Sequence, residues 1–223
     1  MKFSRESLLL YAVTDRSWTG RQTLDEQIED ALIGGVTCVQ LREKNMDEKS
    51  FVDEAIRIKD LCHKYGVPLI INDNVEVAIK SGADGVHVGI EDQPVADIRK
   101  KVGKDFIIGA TAKTVEQARR AEADGADYLG VGAMFSSPTK TNAIRITREM
   151  LNEICASVSI PSVAIGGINL KNIGEIIGCD IDGVAVVSSI FAADDIKNAT
   201  GALKQECFKI GGTNENSIDD CGQ

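Results

Sequence analysis

Four cations stand where short apolar runs end: Arg42 and Lys44 in VQLREKN, Lys113 in GATAKT and Lys140 in SSPTKT. Two carboxylates, Asp73 in IINDN and Asp92 in HVGIEDQP, follow two other such runs. Cations gathered with hard carboxylates suit a polyanion that travels with a divalent metal. No His or Cys ligand spacing accompanies the two aspartates, so the metal they point to is Mg²⁺, which keeps waters and substrate phosphate as its other ligands. Asn72 is no base but is a good donor to an anion. Thr111, Ser136, Ser137 and Thr139 place hydroxyls in the same loops. The plainer account of any single position is a solvated ion pair or a helix cap, and both Asp73 and Asp92 precede helical patterns that they could cap. The coincidence of all of them behind successive runs argues for a site. His87 lies within a run and is expected to be a packed, hydrogen-bonded core histidine.

Two further run ends carry a different signal. IGGI (165–168) offers two glycines, and VVSS (186–189) offers hydroxyls. Backbone N–H groups from such loops bind phosphate in many barrels, and Gly167 would let a phosphate approach the chain closely. Ser188 and its neighbours would complete that cradle. A plain tight turn is the alternative.

The elements that must position these residues are strands separated by helices. Strands are expected at 8–13, 37–41, 69–71, 85–88, 106–110, 128–131, 162–165 and 183–187. Between them lie amphipathic segments such as TLDEQIEDALIGG and SFVDEAIRIKDLCHKYG. In the second, Phe51, Ala55, Ile58 and Cys62 recur at helical spacing, and both segments end in Gly. GGVTCVQL, SGADGVHVG, DGADYLGVG and GCDIDGVAVV form a weak internal repeat, roughly 45 residues apart, ahead of strands 2, 4, 6 and 8. Eight βα units with that repeat predict an α/β protein with one domain, a (β/α)₈ TIM barrel, over 1–209. A doubly wound open sheet is the runner-up. Residues 210–223, polar and Gly-rich, are expected to form a frayed tail. In a barrel of this kind the site lies at the carboxyl ends of the strands, where the residues above cluster.

Composition narrows the class. The chain has 223 residues, 43% hydrophobic and only 4% aromatic, so its core is aliphatic, as buried parallel strands require. A net charge of −9 argues against a nucleic-acid partner. No apolar run approaches a membrane span or a signal peptide. Six cysteines without metal spacing read as free thiols of a cytoplasmic protein. The oligomeric state stays open, a homo-oligomer included.

QLREK, IND, HVG..D, Y.GVGAMF, TK, AIGGI and AVVS occur in that order across about residues 8–195. Each is weak alone; together, at strand ends, they resemble the thiamine-phosphate synthase (thiamine-phosphate pyrophosphorylase) family. The resemblance implies a transferase that joins 4-amino-5-hydroxymethyl-2-methylpyrimidine diphosphate to a thiazole phosphate, giving thiamine phosphate and pyrophosphate. By position it implies that Gln40, Leu41, Arg42, Glu43, Lys44, Asn72, Thr111 and Lys140 contact the pyrimidine diphosphate. Asp73 and Asp92 would hold Mg²⁺. Ser137, Thr139, Gly167, Val187 and Ser188 would hold the thiazole phosphate. Arg42, Lys44 and Lys140 would be catalytic, stabilising the departing diphosphate. Strand alternation further predicts Gln40 and Arg42 facing the lumen and Leu41 facing the outer helices; Glu43 is expected to turn away into a local pair, since a carboxylate beside the leaving group would oppose it.

The chain departs from the family pattern where Lys113 stands for a usual His, Ser137 for the first Thr of the sixth loop, and Ile90 for a common Gln. Two other functions fit parts of the set. A thiazole tautomerase on the same barrel would need the phosphate pocket and a proton shuttle, but not the cations with both aspartates. A non-catalytic phosphate-ligand sensor would explain the altered loops, but not the carboxylates.

Overall fold

The computed structural model describes residues 3–136 and 145–211. Eight parallel strands close into a barrel in sequence order: β1 (Leu10–Val13), β2 (Cys38–Leu41), β3 (Leu69–Asn72), β4 (Gly85–Val88), β5 (Ile107–Ala112), β6 (Tyr128–Gly132), β7 (Ser162–Ile165) and β8 (Gly183–Val186). The helices are α1 (Leu24–Gly34), α2 (Glu48–Lys64), α3 (Val75–Ser81), α4 (Val95–Val102), α5 (Val115–Ala123), α6 (Arg148–Ala156), the short α7 (Ser188–Phe191) and α8 (Ile196–Gly211).

Local chemistry sets the starts and stops. Thr23 and Glu26 form a capping box at α1, and Gly35 closes that helix in the left-handed region at φ 99°. Asp47, Asn74, Thr114 and Thr147 each accept a backbone N–H at the first turn of α2, α3, α5 and α6. The seventh unit departs from the expected pattern. Between β7 and β8 there is a single 3₁₀ turn, Ile173–Ile176, instead of an α-helix. The segment is short, and Gly174 and Gly178 interrupt what apolar pattern it has. Its apolar contribution is small but complete, since Ile173 and Ile176 are both buried. At the other end, α8 continues to Gly211 with Ile210 buried, so the helical body passes the boundary drawn at 209.

Strand alternation divides the core in two. Leu10, Ala12, Val39, Leu41, Leu69 and Ile71 point outward and pack under the helices. Tyr11, Val13, Cys38, Ile70, Tyr128, Val163 and Ala185 fill the lumen, and Leu8 belongs to this inner cluster. Leu8 and Leu9 precede the first strand here: residues 5–8 form a 3₁₀ turn, so β1 begins two residues later than the apolar run suggests.

Two lumen glycines make space for the aromatic residues. A Cβ at Gly109 would overlap both the Tyr128 ring and His87 Nδ1. One at Gly130 would meet His87 at 3.0 Å. Tyr128 lies between Phe3, Tyr11 and His87, with ring centroids 5.6, 5.9 and 5.5 Å away. Gly109→Ala should therefore force the two rings apart and cost roughly 1–3 kcal/mol by overpacking. A urea midpoint equal to that of the parent chain would contradict this packing account.

Candidate active site

A cavity of ≈ 400 Å³ opens at the carboxyl ends of the strands. Its wall takes residues from the ends of β2 to β8 and the loops that follow them. A second cavity, ≈ 490 Å³, lies outside the barrel mouth between Phe135, Arg145, Arg148 and Glu175. Arg148 is there engaged by the carbonyl oxygens of Glu175 and Ile177, and neither Asp73 nor Asp92 lines it. The barrel mouth is the chemically equipped one.

β2 delivers Gln40 to the lumen and Leu41 to the outer core. The Leu41 side chain is wholly buried under the helices, so only its backbone could reach a ligand. Arg42 turns into the mouth. Its backbone N–H donates to Thr14 Oγ1 at 3.0 Å, and its guanidinium donates to Asp15 Oδ2 at 2.9 Å. The Arg42 side chain is 13% exposed. A guanidinium has five N–H donors, so one bond to Asp15 orients it and leaves others for an anion. Burial pushes the Asp15 carboxyl up, but hydrogen bonds from Ser17 and the Arg42 charge outweigh it and hold Asp15 below the usual carboxylate range. Lys44 and Lys113 complete the described cationic lining.

Glu43 pairs away from the centre, as expected. Both its oxygens accept from Arg16 Nε at 2.8 Å. Arg16 also donates to the buried Glu54, and Arg57 links Glu54 to Asp25. Burial and the nearby Glu54 raise the Glu43 carboxyl above its ordinary value despite Arg16. This network fixes the loop that carries Arg42 and Lys44, and Glu43 lines the cavity beside them.

β3 and β4 present the two carboxylates. Asp73 follows Asn72 with φ 60°, a left-handed conformation uncommon for a residue with a side chain. The helix cap is Asn74, whose side chain accepts from Val77 N at 3.0 Å, so the capping alternative for Asp73 does not hold. Asp92 is no helix cap either. Its Oδ2 accepts from Gly89 N at 2.7 Å and closes the β4–α4 turn, while Pro94 occupies the cap position. Both aspartates line the cavity. Among the described residues no group of three or more metal-type ligands exists. Two hard carboxylates still fit Mg²⁺, which needs few protein ligands when a diphosphate supplies the rest.

At the seventh and eighth loops, Gly167, Val187 and Ser188 line the opposite side of the mouth. Gly167 has φ 66°, and a Cβ there would overlap the Ser136 carbonyl oxygen. Asn169 and Asn172 donate to the Gly167 carbonyl, and Ser189 to that of Ile168. Gly167 thus has a structural reason independent of phosphate: it lets the β6 and β7 loops touch. Ser137, Thr139 and Lys140 lie outside the described residues.

Sequence reading passed over Thr14 and Asp15, because it surveyed the ends of strands 2 to 8 and not of strand 1. VTDR carried the signal: a hydroxyl and a carboxylate directly after an apolar run. It also missed Tyr11 and Tyr128 as a polar floor. Gln40 Nε2 donates to Tyr11 OH at 2.8 Å, the two phenol oxygens are 2.8 Å apart, and Tyr128 OH is 3.1 Å from His87 Nδ1. His87 Nε2 lies 3.1 Å from Thr111 Oγ1. His87 is hydrogen-bonded, as expected, but it faces the cavity instead of a sealed core.

A closed parallel barrel with cations and carboxylates at one mouth and a glycine-lined turn opposite defines an enzyme architecture for phosphorylated small molecules. The match to known proteins specifies it: the Thiamine monophosphate synthase family profile matches residues 10–190, and the chain belongs to that family. A thiamine-phosphate synthase of Clostridium botulinum is 45% identical over 201 residues, covering 90% of this chain and 94% of that protein. One of Ruminiclostridium cellulolyticum is 48% identical over 200 residues, with 90% and 95% covered. The solved thiamine phosphate pyrophosphorylase of Pyrococcus furiosus superposes with a TM-score of 0.86 at 37% identity, covering 93% of this chain and 99% of that one. Among the described residues no helix is long and apolar enough to cross a membrane.

Proposed function

We propose that this chain is a thiamine-phosphate synthase, a transferase that joins the aminopyrimidine diphosphate to a thiazole phosphate and releases pyrophosphate. The observation that carries the reading is the mouth itself. Arg42, oriented by Asp15, stands in one cavity with Lys44, Asn72, Asp73 and Asp92, while Gly167 and Ser188 line the far side. Two differently equipped anion regions suit one diphosphate and one monophosphate.

The reaction needs little from the protein beyond placement and charge. The bond between the pyrimidine methylene carbon and the diphosphate oxygen breaks, and its electron pair leaves with the diphosphate. The thiazole nitrogen supplies the lone pair for the new C–N bond, so no proton must be removed. Arg42 and Lys44, with Lys140 from the sixth loop, stabilise negative charge as it gathers on the leaving oxygen. Asp73 and Asp92 would hold Mg²⁺, which when bound adds positive charge beside the same diphosphate. Gln40, Thr111 and Asn72 orient the pyrimidine end, with the Leu41 contribution limited to its backbone and Glu43 lining the cavity beside Arg42 and Lys44. Gly167, Val187 and Ser188, with Ser137 and Thr139, hold the thiazole phosphate at the approach distance for attack. We place the enzyme in the cytoplasm, as its free buried cysteines suggest.

Gly167→Val would not isolate phosphate binding, because its side chain would collide with the backbone of Phe135 and Ser136. Ser188→Ala is the cleaner probe. It should raise the thiazole phosphate KM by about tenfold, the worth of one hydrogen bond to a charged group, with kcat little changed. An unchanged thiazole KM in initial-rate kinetics would remove Ser188 from the phosphate side.

A further inference from the structure

We propose that Gln40, Tyr11, Tyr128, His87 and Thr111 form a one-directional hydrogen-bond relay that locks His87 as its Nε2–H tautomer and makes the Thr111 hydroxyl a donor toward the ligand. The direction follows from what each group can give. The Gln40 amide nitrogen has only hydrogens to offer, so Tyr11 oxygen accepts from it at 2.8 Å. Tyr11 is 1% exposed, and a buried hydroxyl needs an acceptor for its own hydrogen. The choices beside it are Tyr128 oxygen at 2.8 Å and the Cys38 sulfur, a weak acceptor, so Tyr128 takes it.

Tyr128, having accepted from Tyr11, turns its own hydrogen to His87 Nδ1 at 3.1 Å. A bare Nδ1 requires the hydrogen on Nε2, which faces Thr111 Oγ1 at 3.1 Å. Thr111, having accepted, points its own hydrogen into the cavity that it lines. Burial raises both phenols well above their ordinary range, so both keep the hydrogens that the chain needs. Gly109 and Gly130 reserve the space in which these rings meet.

The consequence is a fixed pattern on the cavity wall. At one end one of the two Gln40 N–H groups goes to Tyr11, which fixes the orientation of the amide and offers its carbonyl oxygen as an acceptor. At the other end Thr111 is a donor. That pair is complementary to a 4-aminopyrimidine, which offers an N–H and a ring-nitrogen lone pair. It is mismatched to the 4-oxo form, which reverses both. Tyr11, Tyr128 and His87 act as positioning residues. The assignment of the ligand rests on the proposed function; the relay and its direction do not.

The experiment uses ¹⁵N-labelled full chain without ligand, and long-range ¹H–¹⁵N correlation of its histidines. The chain has two, His63 and His87, so a His63→Asn variant assigns them. The relay predicts a bare Nδ1 and a protonated Nε2 at His87, and Tyr128→Phe should release the bias so that both tautomers appear. Hydrogen on Nδ1, the outcome if the Gln40 amide were turned over and the chain ran backwards, would overturn the proposal. So would a tautomer unmoved by Tyr128→Phe.

Calorimetry with Mg²⁺ and no thiazole phosphate then compares the 4-amino and 4-oxo pyrimidine diphosphates. The parent chain should prefer the amino form by at least ~10³-fold, because the oxo form leaves wall groups unpaired. Tyr128→Phe should narrow that ratio by about tenfold. Equal binding of both forms by the parent chain would overturn the specificity role. Binding of neither would contradict the proposed function instead, with the tautomer still deciding the relay.

Discussion

Replacement of Arg42 by Ala should lower kcat by about 10²–10³-fold, or roughly 3–4 kcal/mol of transition-state stabilisation. Arg42 sits in a mostly buried position and is aimed by Asp15. Negative charge gathers on the diphosphate only as the C–O bond breaks, so loss of the guanidinium should appear in kcat far more than in the thiazole KM. The substitution also removes the guanidinium that Asp15 orients, while Asp15 keeps its bonds from Ser17. Asp15→Asn keeps the guanidinium but loosens its aim, and should cost less. The double variant Arg42→Ala, Asp15→Asn should cost less than the sum of the two, because both single changes act on the same contact. Glu43→Ala should act through the Arg16 loop network, with a smaller loss. Normal turnover of Arg42→Ala at saturating substrates would make the guanidinium a structural feature of the rim.

Asp73→Asn and Asp92→Asn should each abolish most metal-dependent turnover, by at least about 10²-fold, without unfolding the chain. The local structures explain the second half of that statement. Asn tolerates the left-handed conformation that Asp73 adopts at φ 60° at least as well as Asp does. In Asp92→Asn the carboxamide oxygen can still accept from Gly89 N and close the turn. What each variant loses is charge, so far-ultraviolet circular dichroism and thermal midpoints should stay near the parent values while Mg²⁺ affinity and rate fall. Full activity of Asp73→Asn, or of the parent chain in excess chelator, would remove the metal role.

The barrel was legible because its signals are local. Apolar runs of four to six residues, Gly stops and Ser, Thr, Asp or Asn caps repeat along the chain, and each depends on neighbours within a turn. Leu8 and Leu9 misled at β1 because apolar residues that pack before a strand, Leu8 in the inner cluster and Leu9 against the outer one, look the same as strand residues. The seventh helix was overcounted because the repeat elsewhere is regular, and only the Gly174 and Gly178 spacing distinguishes this segment. Charge at strand ends was equally readable, since the fold fixes which ends face the site. Partnerships between side chains of different strands were not. Asp15 and Arg42 are 27 residues apart, and Tyr11 and Tyr128 are 117 apart. No period in the sequence links such pairs; pairing of β1 with β2 brings the first together, and closure of the sheet the second. His87 shows the same limit: alternation puts it on the inner face, but only the depth of the cavity decides whether that face is core or site.

Pyrophosphate release from the two purified substrates, followed continuously with and without Mg²⁺, tests the central claim most directly. The account predicts release that requires the aminopyrimidine diphosphate, the thiazole phosphate and Mg²⁺ together, in equal amount to the thiamine phosphate formed. Absence of release with all three present, or thiazole isomerisation without any pyrimidine partner, would contradict it.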